Sequence, residues 1–396
     1  MKVYIAGIGM EGIQTLTVQA EKAIESSDLL IGSKRVLEPF CKYGKKFVEE
    51  WRAEEIRKIL LQSSCDTVTV LFSGDVGFYS GASKLIHELK EFDTEIISGI
   101  SSPVYFSSKT GIPWQNMKFI SLHGEKSNIV RSVCRNEYCF FLLGGEVTPS
   151  DICSRLCDYK MGDTEVFIGE NLGYEDEKIL SGKAHEFTDL KTGKLAVMVC
   201  VNHEYERSIP HGIPDEKFIR SDVPMSKSEI RISAVSKLAV LPADVCWDVG
   251  CGTGAVSVEM ALNCYEGKVC SVDLNKEAVE LTRKNSIEFG CDNIEVSEGR
   301  APQCLESFPK PDKVFIGGSC GEVGGIIDIA LRKNPYTRFV ITAVSLETLE
   351  ETRRVMERLN MKYDVVQLAV TDMIKRGSHT MFSAKNPVFI IRGEMV

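Results

Sequence analysis

The sequence lacks the features that mark membrane proteins, metal proteins and secreted disulfide proteins. No run approaches 18 consecutive apolar residues, so no transmembrane helix is predicted. The 14 cysteines include no Cys-x-x-Cys pair and the six histidines have no metal-ligand spacing, which predicts free thiols and no metal site. The first residues run into a glycine loop too early for a signal peptide, and we expect a cytoplasmic protein without a membrane partner.

An excess of basic charge is also missing. The chain carries 47 basic and 56 acidic side chains, which leaves a formal net charge of −9. A protein of this charge repels phosphate backbones unless a local basic patch overrides the field. We therefore predict that nucleic acid is not a partner.

What is present is a composition typical of a folded protein, spread over 396 residues that can fill more than one core. Strand, glycine loop and helix patterns follow one another along both halves. The periodicity stops near residues 209–215, where two prolines and a glycine indicate a connector. We predict an α/β protein with a first domain over residues 1–209, a linker over 210–225 and a second domain over 226–396.

The apolar patterns predict individual strands and helices. The first domain is expected to contain a helix over Ser80–Phe92 and strands at Val3–Ala6, Val68–Phe72, Glu95–Ile97, Phe119–Leu122, Tyr138–Leu143, Glu165–Gly169 and Leu195–Val201. In the second domain we expect strands at Val245–Val249, Val269–Val272, Ile294–Val296, Lys313–Ile316, Phe339–Thr342, Tyr363–Ala369 and Val388–Ile391, and helices at Ser228–Leu238, Ala255–Leu262, Lys276–Glu288, Ile326–Leu331 and Leu346–Leu359. The alternation predicts a mostly parallel sheet, and the last two strands, which lack a helix between them, predict an antiparallel hairpin at one edge.

The first glycine loop, Gly7-Ile8-Gly9-Met10-Glu11-Gly12, has the spacing of a dinucleotide-binding fingerprint. That fingerprint also needs an acidic residue at the end of the second strand. The candidate, Asp28, precedes the apolar run Leu29-Leu30-Ile31 and so lies at the wrong end to hold a ribose. We therefore reject a dinucleotide site, and the loop is either a tight turn or part of another ligand site.

The second glycine loop, Asp248-Val249-Gly250-Cys251-Gly252-Thr253-Gly254, follows a predicted strand and precedes a predicted helix. Residues without a Cβ let the backbone approach a ligand closely, and Asp248 is expected to accept a hydrogen bond from a ligand ammonium. Asp273 ends the next strand, where its carboxylate can accept both hydroxyls of a ribose. The loop Glu298-Gly299-Arg300-Ala301 follows the strand after that and is expected to line an adenine pocket.

These three loops resemble the class I S-adenosylmethionine methyltransferases. The resemblance implies a Rossmann-like fold and a cofactor held by Gly250, Gly252, Thr253, Gly254, Asp273 and Ala301. Cys251 lies beside the cofactor in this interpretation, and a small loop residue is favoured over a nucleophile there.

The first half resembles the tetrapyrrole methylase family of class III methyltransferases, over about residues 1–205. The resemblance rests on the first glycine loop, on Ser73-Gly74-Asp75-Val76-Gly77-Phe78-Tyr79-Ser80, and on Gly99-Ile100-Ser101-Ser102-Pro103. It implies two α/β subdomains and a second S-adenosylmethionine site. The residues on the family's cofactor positions are Gly9, Gly74, Asp75, Val76, Ser101, Ser102, Leu143 and Leu172. Core packing is an equal alternative for the two leucines, and a helix cap is one for Asp75.

The second half is similar to the decarboxylating C15-methyltransferases of cobalamin biosynthesis, through Met225–Arg231, Gly317–Ser319, Gly377–His379 and Asn386–Val388. The whole chain resembles the fused precorrin-6Y C5,C15-methyltransferase family and its cobalt-precorrin counterpart. The implied reaction is methylation of C5 and C15 of a precorrin or cobalt-precorrin with decarboxylation of the ring C acetate. Related domains form oligomers, so a homo-oligomer is expected by analogy.

The implied tetrapyrrole carries many carboxylates, so a chain of net charge −9 must gather cations locally. The candidates for holding the substrate are Lys227, Arg231, Arg376 and His379, with a solvated helix face or an ordinary loop as their alternatives. Ser226 matches the hydroxyl residue that the family places near the methionine end of the cofactor.

Two functions of other classes stay open at this point. The first is an RNA or protein methyltransferase with an accessory ligand-binding domain, and the second is a nucleotide sensor without catalytic activity. The segment Ile316-Gly317-Gly318-Ser319 lacks the amide and aromatic pair that methyltransferases of base amines use, which disfavours the RNA enzyme.

Overall fold

The computed structural model describes residues 1–10, 12–122, 128–193 and 195–395. The chain divides into two compact units. The first contains Met1–Lys126, Glu137–Ser154 and Asp163–Asn202, and the second contains Ser127–Asn136, Arg155–Gly162 and His203–Val396. Among the described helices, none combines the length and the apolar character that crossing a bilayer requires.

The first unit begins with an all-parallel five-stranded sheet. Its elements are β1 (Lys2–Gly7), α1 (Val18–Ser26), β2 (Leu29–Gly32), α2 (Lys34–Leu37), β3 (Lys46–Glu49), α3 (Ala53–Gln62), β4 (Thr67–Phe72), α4 (Ala82–Glu88) and β5 (Asp93–Ile97). The strand order is β3-β2-β4-β1-β5. Helices cover both faces of such a sheet, which explains why the central strands β2 and β4 are apolar and buried rather than alternating.

A second five-stranded sheet completes the first unit. Its elements are α5 (Ser102–Thr110), β6 (Met117–Ser121), β7 (Tyr138–Leu142), β8 (Glu165–Glu170), β9 (Lys178–Lys183) and β10 (Ala196–Val201). Of the helices between these strands, α6 (Ile129–Arg135) belongs to the second unit, and α7 (Pro149–Asp158) belongs to the first unit up to Ser154. The order is β6-β7-β10-β8-β9, with β6 and β7 parallel and the other neighbours antiparallel. The fully buried strand β10 lies at its centre.

The second unit is built around a seven-stranded sheet of order β13-β12-β11-β14-β15-β19-β16. Its elements are α8 (Ser228–Leu238), β11 (Val245–Val249), α9 (Ala255–Asn263), β12 (Lys268–Asp273), α10 (Lys276–Glu288), β13 (Ile294–Glu298), β14 (Lys313–Ile316), α11 (Val323–Lys333), β15 (Arg338–Ala343), α12 (Leu346–Arg358), β16 (Lys362–Leu368), β17 (Thr371–Arg376), β18 (His379–Ala384) and β19 (Val388–Glu394). The order reverses between β11 and β14, and a ligand crevice is expected outside the carboxyl ends of the strands at such a point.

Short 3₁₀ helices complete the secondary structure at Gly12–Thr15, Glu38–Tyr43, Trp114–Asn116, Ala184–Phe187, Asp215–Lys217 and Gln303–Ser307. The α/β class and the parallel arrangement of β11 to β15 agree with the sequence prediction. The predicted helices Ser228–Leu238 and Lys276–Glu288 have the predicted bounds, whereas α4 is shorter than Ser80–Phe92.

Two features of the second unit add to the prediction. The strands β16 and β19 form an antiparallel pair at one edge of the sheet, as expected, but the β17–β18 hairpin that lies between them in the chain was not predicted. The predicted linker packs into this unit, because Ile213, Phe218 and Val223 are buried there. Apolar side chains in the segment, rather than its prolines, decide where it lies.

Candidate cofactor and substrate cavities

The glycine loop of the second unit makes its sharp turn where the carboxyl ends of β11 and β12 meet. Gly250, Gly252 and Gly254 all have positive φ angles, which residues with a Cβ adopt at a cost. A Cβ at Gly250 would lie 2.6 Å from the backbone nitrogen of Gly318, and one at Gly252 would lie 2.6 Å from the carbonyl oxygen of Pro224. The loop is therefore close-packed backbone that no side chain can enter.

Asp273, at the end of β12, is fixed by this loop. One carboxylate oxygen accepts the backbone N–H of Gly252 at 2.9 Å, and the other accepts that of Asn275 at 2.9 Å. The side chain is half-buried and makes no ion pair with the described residues. A carboxylate has about four acceptor positions, so two remain for hydroxyl donors of a ligand.

These residues border a cavity of about 510 Å³, within the usual size of small-molecule sites. Its wall contains, of the predicted site residues, Ser226, Lys227, Gly250, Cys251, Gly252, Thr253, Asp273 and Ala301. The hydroxyl oxygen of Thr253 is buried and has no hydrogen-bond partner among the described residues, so it is available to a ligand. Lys227 is the one cation among the described wall residues, and its Nζ lies 3.6 Å from a carboxylate oxygen of Asp215.

Asp248 lies deeper than the sequence prediction requires. It is fully buried, it is not part of the cavity wall, and one carboxylate oxygen accepts the hydroxyl of Ser257. Its other carboxylate oxygen, Oδ1, has no hydrogen-bond partner among the described residues, so a contact with a ligand ammonium stays a prediction. Burial raises its pKa to about 7, against which the hydrogen bond from Ser257 acts.

The structure contradicts the prediction that Arg231 holds the substrate. Its guanidinium is fully buried and donates to Glu259 at 2.5 Å, to Asp215 at 3.2 Å, to the carbonyl oxygen of Ser226 at 2.7 Å and to that of Ile213. These four bonds leave almost no donor for a substrate carboxylate. Arg231 acts as a positioning residue, because it fixes the backbone of Ser226 at the cavity wall.

The structure does not bring Arg376 and His379 to the cavity either. They face each other across the turn of the β17–β18 hairpin and are exposed. The apolar pattern predicts no strand over residues 371–384, so the hairpin is a feature that only the structure shows. Gly254 is also absent from the wall, because it begins α9 and packs against Thr282.

Cys251 is a wall residue without the character of a nucleophile. The side chain is buried, and its sulfur accepts a hydrogen bond from the hydroxyl of Thr282 at 3.4 Å. Burial raises the pKa of the thiol well above its usual range, so the thiolate is disfavoured. This agrees with the interpretation of Cys251 as a small loop residue.

In the first unit, three chain segments cross at glycines. Gly9 and Gly74 exchange backbone hydrogen bonds of 3.1 and 2.9 Å, and both have positive φ angles. A Cβ at Gly7 would lie 2.5 Å from the carbonyl oxygen of Gly74, and one at Gly99 would lie closer still. The first glycine loop, of which Glu11 is outside the described residues, is thus part of a close backbone crossing.

Asp75 stabilises this crossing of chain segments by hydrogen bonds. Its two carboxylate oxygens accept the backbone N–H groups of Gly77 at 2.8 Å and Gly99 at 2.9 Å. It does not cap α4, for which Gly81 is the N-cap residue, so the alternative role weighed for Asp75 is wrong. Asp28, in contrast, precedes β2, and one of its carboxylate oxygens accepts the backbone N–H groups of Asp66 and Thr67.

The crossing opens on a cavity of about 740 Å³ between the two sheets of the first unit. Of the predicted site residues, its wall contains Gly9, Gly74, Asp75, Ser101, Ser102, Leu143 and Leu172. Leu143 and Leu172 are also nearly buried, so each of them both packs in the core and lines the cavity. Val76 is not a wall residue and packs against the core of the first sheet.

Sequence reasoning missed three prominent wall residues, Arg35, Tyr79 and Tyr174. Arg35 follows β2, whereas Tyr174 follows β8, which belongs to the other sheet. Tyr79 lies within the segment Ser73–Ser80 that carries the family resemblance, but the sequence does not reveal its positive φ. No spacing rule connects residues 35 and 174, so only the fold brings them together.

Comparison with known proteins identifies the family. Residues 217–393 match the family model for the precorrin methyltransferase domain, and residues 2–188 match that for tetrapyrrole (corrin/porphyrin) methylases. A relative from Pyrobaculum calidifontis, named "Probable cobalt-precorrin-6B C(15)-methyltransferase (decarboxylating)", is 42% identical over 183 residues, which are 46% of this chain and 94% of the relative. The chain belongs to the precorrin methyltransferase family. It is therefore a methyltransferase, and the family resemblance predicted from the sequence is confirmed.

Further proteins are similar to this precorrin methyltransferase. The cobalt-precorrin-6B C(15)-methyltransferase (decarboxylating) of Salmonella typhimurium is 36% identical over 180 residues, which are 45% of this chain and 93% of that protein. The crystal structure of precorrin-6Y C5,15-methyltransferase from Geobacter metallireducens has 32% sequence identity and a TM-score of 0.45, and the match covers 47% of this chain and 97% of that one.

Proposed function

We propose that each cavity binds S-adenosylmethionine and that the chain methylates two carbons of a reduced tetrapyrrole, C5 in the first unit and C15 in the second. The second reaction is coupled to decarboxylation of the ring C acetate. The observation that carries the proposal is Asp273, a carboxylate held at the end of β12 by the N–H of a glycine loop, beside a cavity of about 510 Å³. The reactions named for the relatives support the choice of substrate.

The residues present fit this cofactor. The loop at Gly250 and Gly252 is backbone that a Cβ would fill, and Asp273 has acceptor positions left for ribose hydroxyls. The unpartnered hydroxyl of Thr253 and the Ser226 backbone held by Arg231 offer polar contacts to the amino-acid end. In the first cavity, Gly74, Asp75, Ser101 and Ser102 would hold the second cofactor molecule.

When bound, the cofactor supplies a methyl group activated by a sulfonium. The meso carbons of a reduced tetrapyrrole belong to enamine-like systems and are nucleophilic by themselves, so the chain needs no covalent nucleophile. Its residues align the carbon with the methyl group and exclude water, and positioning of this kind contributes several kcal/mol. The buried, protonated thiol of Cys251 is consistent with a wall that takes no part in bond formation.

Decarboxylation breaks the bond between the acetate methylene and its carboxylate. The electron pair passes into a conjugated imine of the macrocycle, carbon dioxide leaves, and the methylene takes up a proton. The carboxylate must be ionised for this step, so the second cavity has to admit an anion. Lys227 is the wall cation that can face it, with Asp215 as its present partner.

Mass spectrometry of the products tests the proposal. The full chain is incubated with S-adenosylmethionine and precorrin-6B, or its cobalt complex, and the product should gain two methyl groups and lose one carboxyl group. Turnover of one substrate only would assign the metal-free or the cobalt-containing series. Methylation of RNA or protein instead, or cofactor binding without any methyl transfer, would refute the proposal.

Two variants in one chain separate the reactions. Asp273→Ala should abolish C15 methylation together with carbon dioxide release and leave C5 methylation. Asp75→Ala removes the hydrogen bonds that hold Gly77 and Gly99 in the first unit. It should abolish C5 methylation and leave C15 methylation and carbon dioxide release. Loss of both reactions in both variants would contradict the assignment of one reaction to each unit.

We also propose that the chain forms a homo-oligomer. The β17–β18 hairpin supports this, since Met373 and Phe382 on it are 73% and 80% exposed and large exposed apolar side chains are common where subunits meet. Light scattering after size-exclusion chromatography should give a multiple of the monomer mass, and a monomer would refute this part.

A further inference from the structure

The wall of the first cavity contains one cation and one carboxylate among its described residues, Arg35 and Asp75. The carboxylate does not neutralise the cation, because each of its oxygens accepts a backbone N–H group and it forms no ion pair with the described residues. Arg35 lies on the short helix α2, where its neighbours Val36 and Leu37 are buried and fix the backbone. The side chain itself is exposed and lies at the cavity.

Arg35 has no anionic partner in the described part of the chain. The partner that the structure gives it is neutral: its guanidinium donates to the hydroxyl of Tyr174 at 3.0 Å. A guanidinium has five N–H donors in a planar fork that matches a carboxylate, so most of them remain free. Lys227 of the second cavity differs, since Asp215 already lies 3.6 Å from its Nζ.

Hydrogen bonds order the loop that carries Tyr174. The loop that carries it contains Asn171, in the left-handed region, and Gly173, whose N–H donates to Glu177 at 2.7 Å. Glu177 in turn accepts the hydroxyl of Tyr105 at 2.8 Å. These contacts order the backbone beside Tyr174, whose hydroxyl accepts the hydrogen bond from Arg35 across the cavity.

Tyr79 adds an aromatic surface to the same wall. It is 57% exposed although it lies on a cavity, and its φ of 45° is unfavourable for a bulky residue. The ring of Phe78 packs against it edge to face at 4.9 Å between centroids. An aromatic side chain held in a strained backbone at a cavity wall is typical of a ligand contact.

We propose that Arg35 binds a peripheral carboxylate of the macrocycle in the first cavity, with Tyr174 orienting its guanidinium and Tyr79 contacting the ring. This proposal rests on the proposed function. It names the group that binds the polycarboxylate in the first unit, where the methylation releases no carbon dioxide. A protein of net charge −9 needs such an uncompensated cation to hold a polyanion.

The test is steady-state methyl transfer by the full chain with precorrin-6B, or its cobalt complex if only that is turned over, with the two products resolved by mass. Arg35→Ala should raise the KM of the methylation without carbon dioxide release about tenfold, the effect expected for a charge-assisted hydrogen bond. Arg35→Lys should recover part of the loss, and the wild-type KM should depend more steeply on salt than that of Arg35→Ala. The decarboxylating reaction in the same chain is the internal control.

Two further variants distinguish binding from structure. Lys34→Ala removes the neighbouring exposed cation, which is not in the wall, and should leave KM within about twofold of wild type. Tyr174→Phe removes the hydroxyl and keeps the charge, so it should cost less than Arg35→Ala. An equal loss in Tyr174→Phe, or no loss in Arg35→Ala, would overturn the proposal.

Calorimetry with S-adenosylhomocysteine separates this result from failure of the proposed function. If no cofactor product binds in the first unit, the proposed function fails there. If it binds equally to wild type and Arg35→Ala while KM does not differ, only the role of Arg35 is refuted.

Discussion

The two cavities fix a carboxylate in the same way but are assembled differently. Asp75 and Asp273 each accept two backbone N–H groups, at 2.8 to 2.9 Å, and each stands beside glycines with positive φ. The second cavity forms at the carboxyl ends of neighbouring parallel strands in one mixed sheet, whereas the first lies between two sheets. Similar polar contacts are therefore reached from local sequence in one unit and from distant segments in the other.

The largest effect is expected at Asp248, a fully buried acid of the second unit. Asp248 has a pKa raised from 3.8 to about 7 by burial, so ionising it costs more in the folded state than in the unfolded chain. Its ionisation therefore lowers stability as pH rises from about 4 to 7, by roughly 4 kcal/mol in total. Asp248→Asn should remove this pH dependence. Urea unfolding of both proteins at pH 5 and pH 8 measures it, and parallel pH profiles would contradict the prediction.

The next effect tests the carboxylates themselves. Asp273→Ala should weaken S-adenosylhomocysteine binding to the second cavity about a hundredfold, because two hydroxyl contacts to a charged acceptor are lost. Binding to the first cavity should stay unchanged. Isothermal calorimetry should then show one site where wild type shows two. A uniform loss at both sites would mean that the cavities do not bind independently.

A smaller effect is expected at Gly250, in the glycine loop of the second unit. Gly250→Ala places a Cβ 2.6 Å from backbone, whereas Gly377→Ala, at a similar positive φ, meets nothing within 4 Å. Both variants carry the conformational strain, so their difference isolates the clash, about 2 kcal/mol of unfolding free energy. Chemical denaturation of the two variants measures it, and equal stabilities would show that the loop can relax.

The smallest effect is predicted for Cys251→Ser. The thiol is buried with a raised pKa and forms no bond to substrate in the proposed reaction. Decarboxylating methyl transfer should therefore stay within about threefold of wild type, since the change removes only a small packing contribution. Complete loss of activity in a folded Cys251→Ser protein would restore a nucleophilic role.

The sequence could predict which residues meet at the second cavity because the signals are local. Gly250, Gly252, Asp273 and Ala301 follow consecutive strands, and the carboxyl ends of parallel strands meet at one edge. Arg231 and Asp248 have the chemistry and the sequence neighbours of wall residues, but neither lies in the wall. Their burial and their partners Glu259, Asp215 and Ser257 are set by packing, which the sequence pattern does not show.

The sequence by itself determined the α/β class, the strands and helices around each glycine loop and the family, because these depend on periodicity and on residues without a Cβ. Only the tertiary structure decided which charges are free. Lys227 has a counter-ion, Arg231 is buried, and Arg35 points at a cavity with a neutral partner. The reason is that a charge is compensated by groups near it in space, and those groups come from distant parts of the chain.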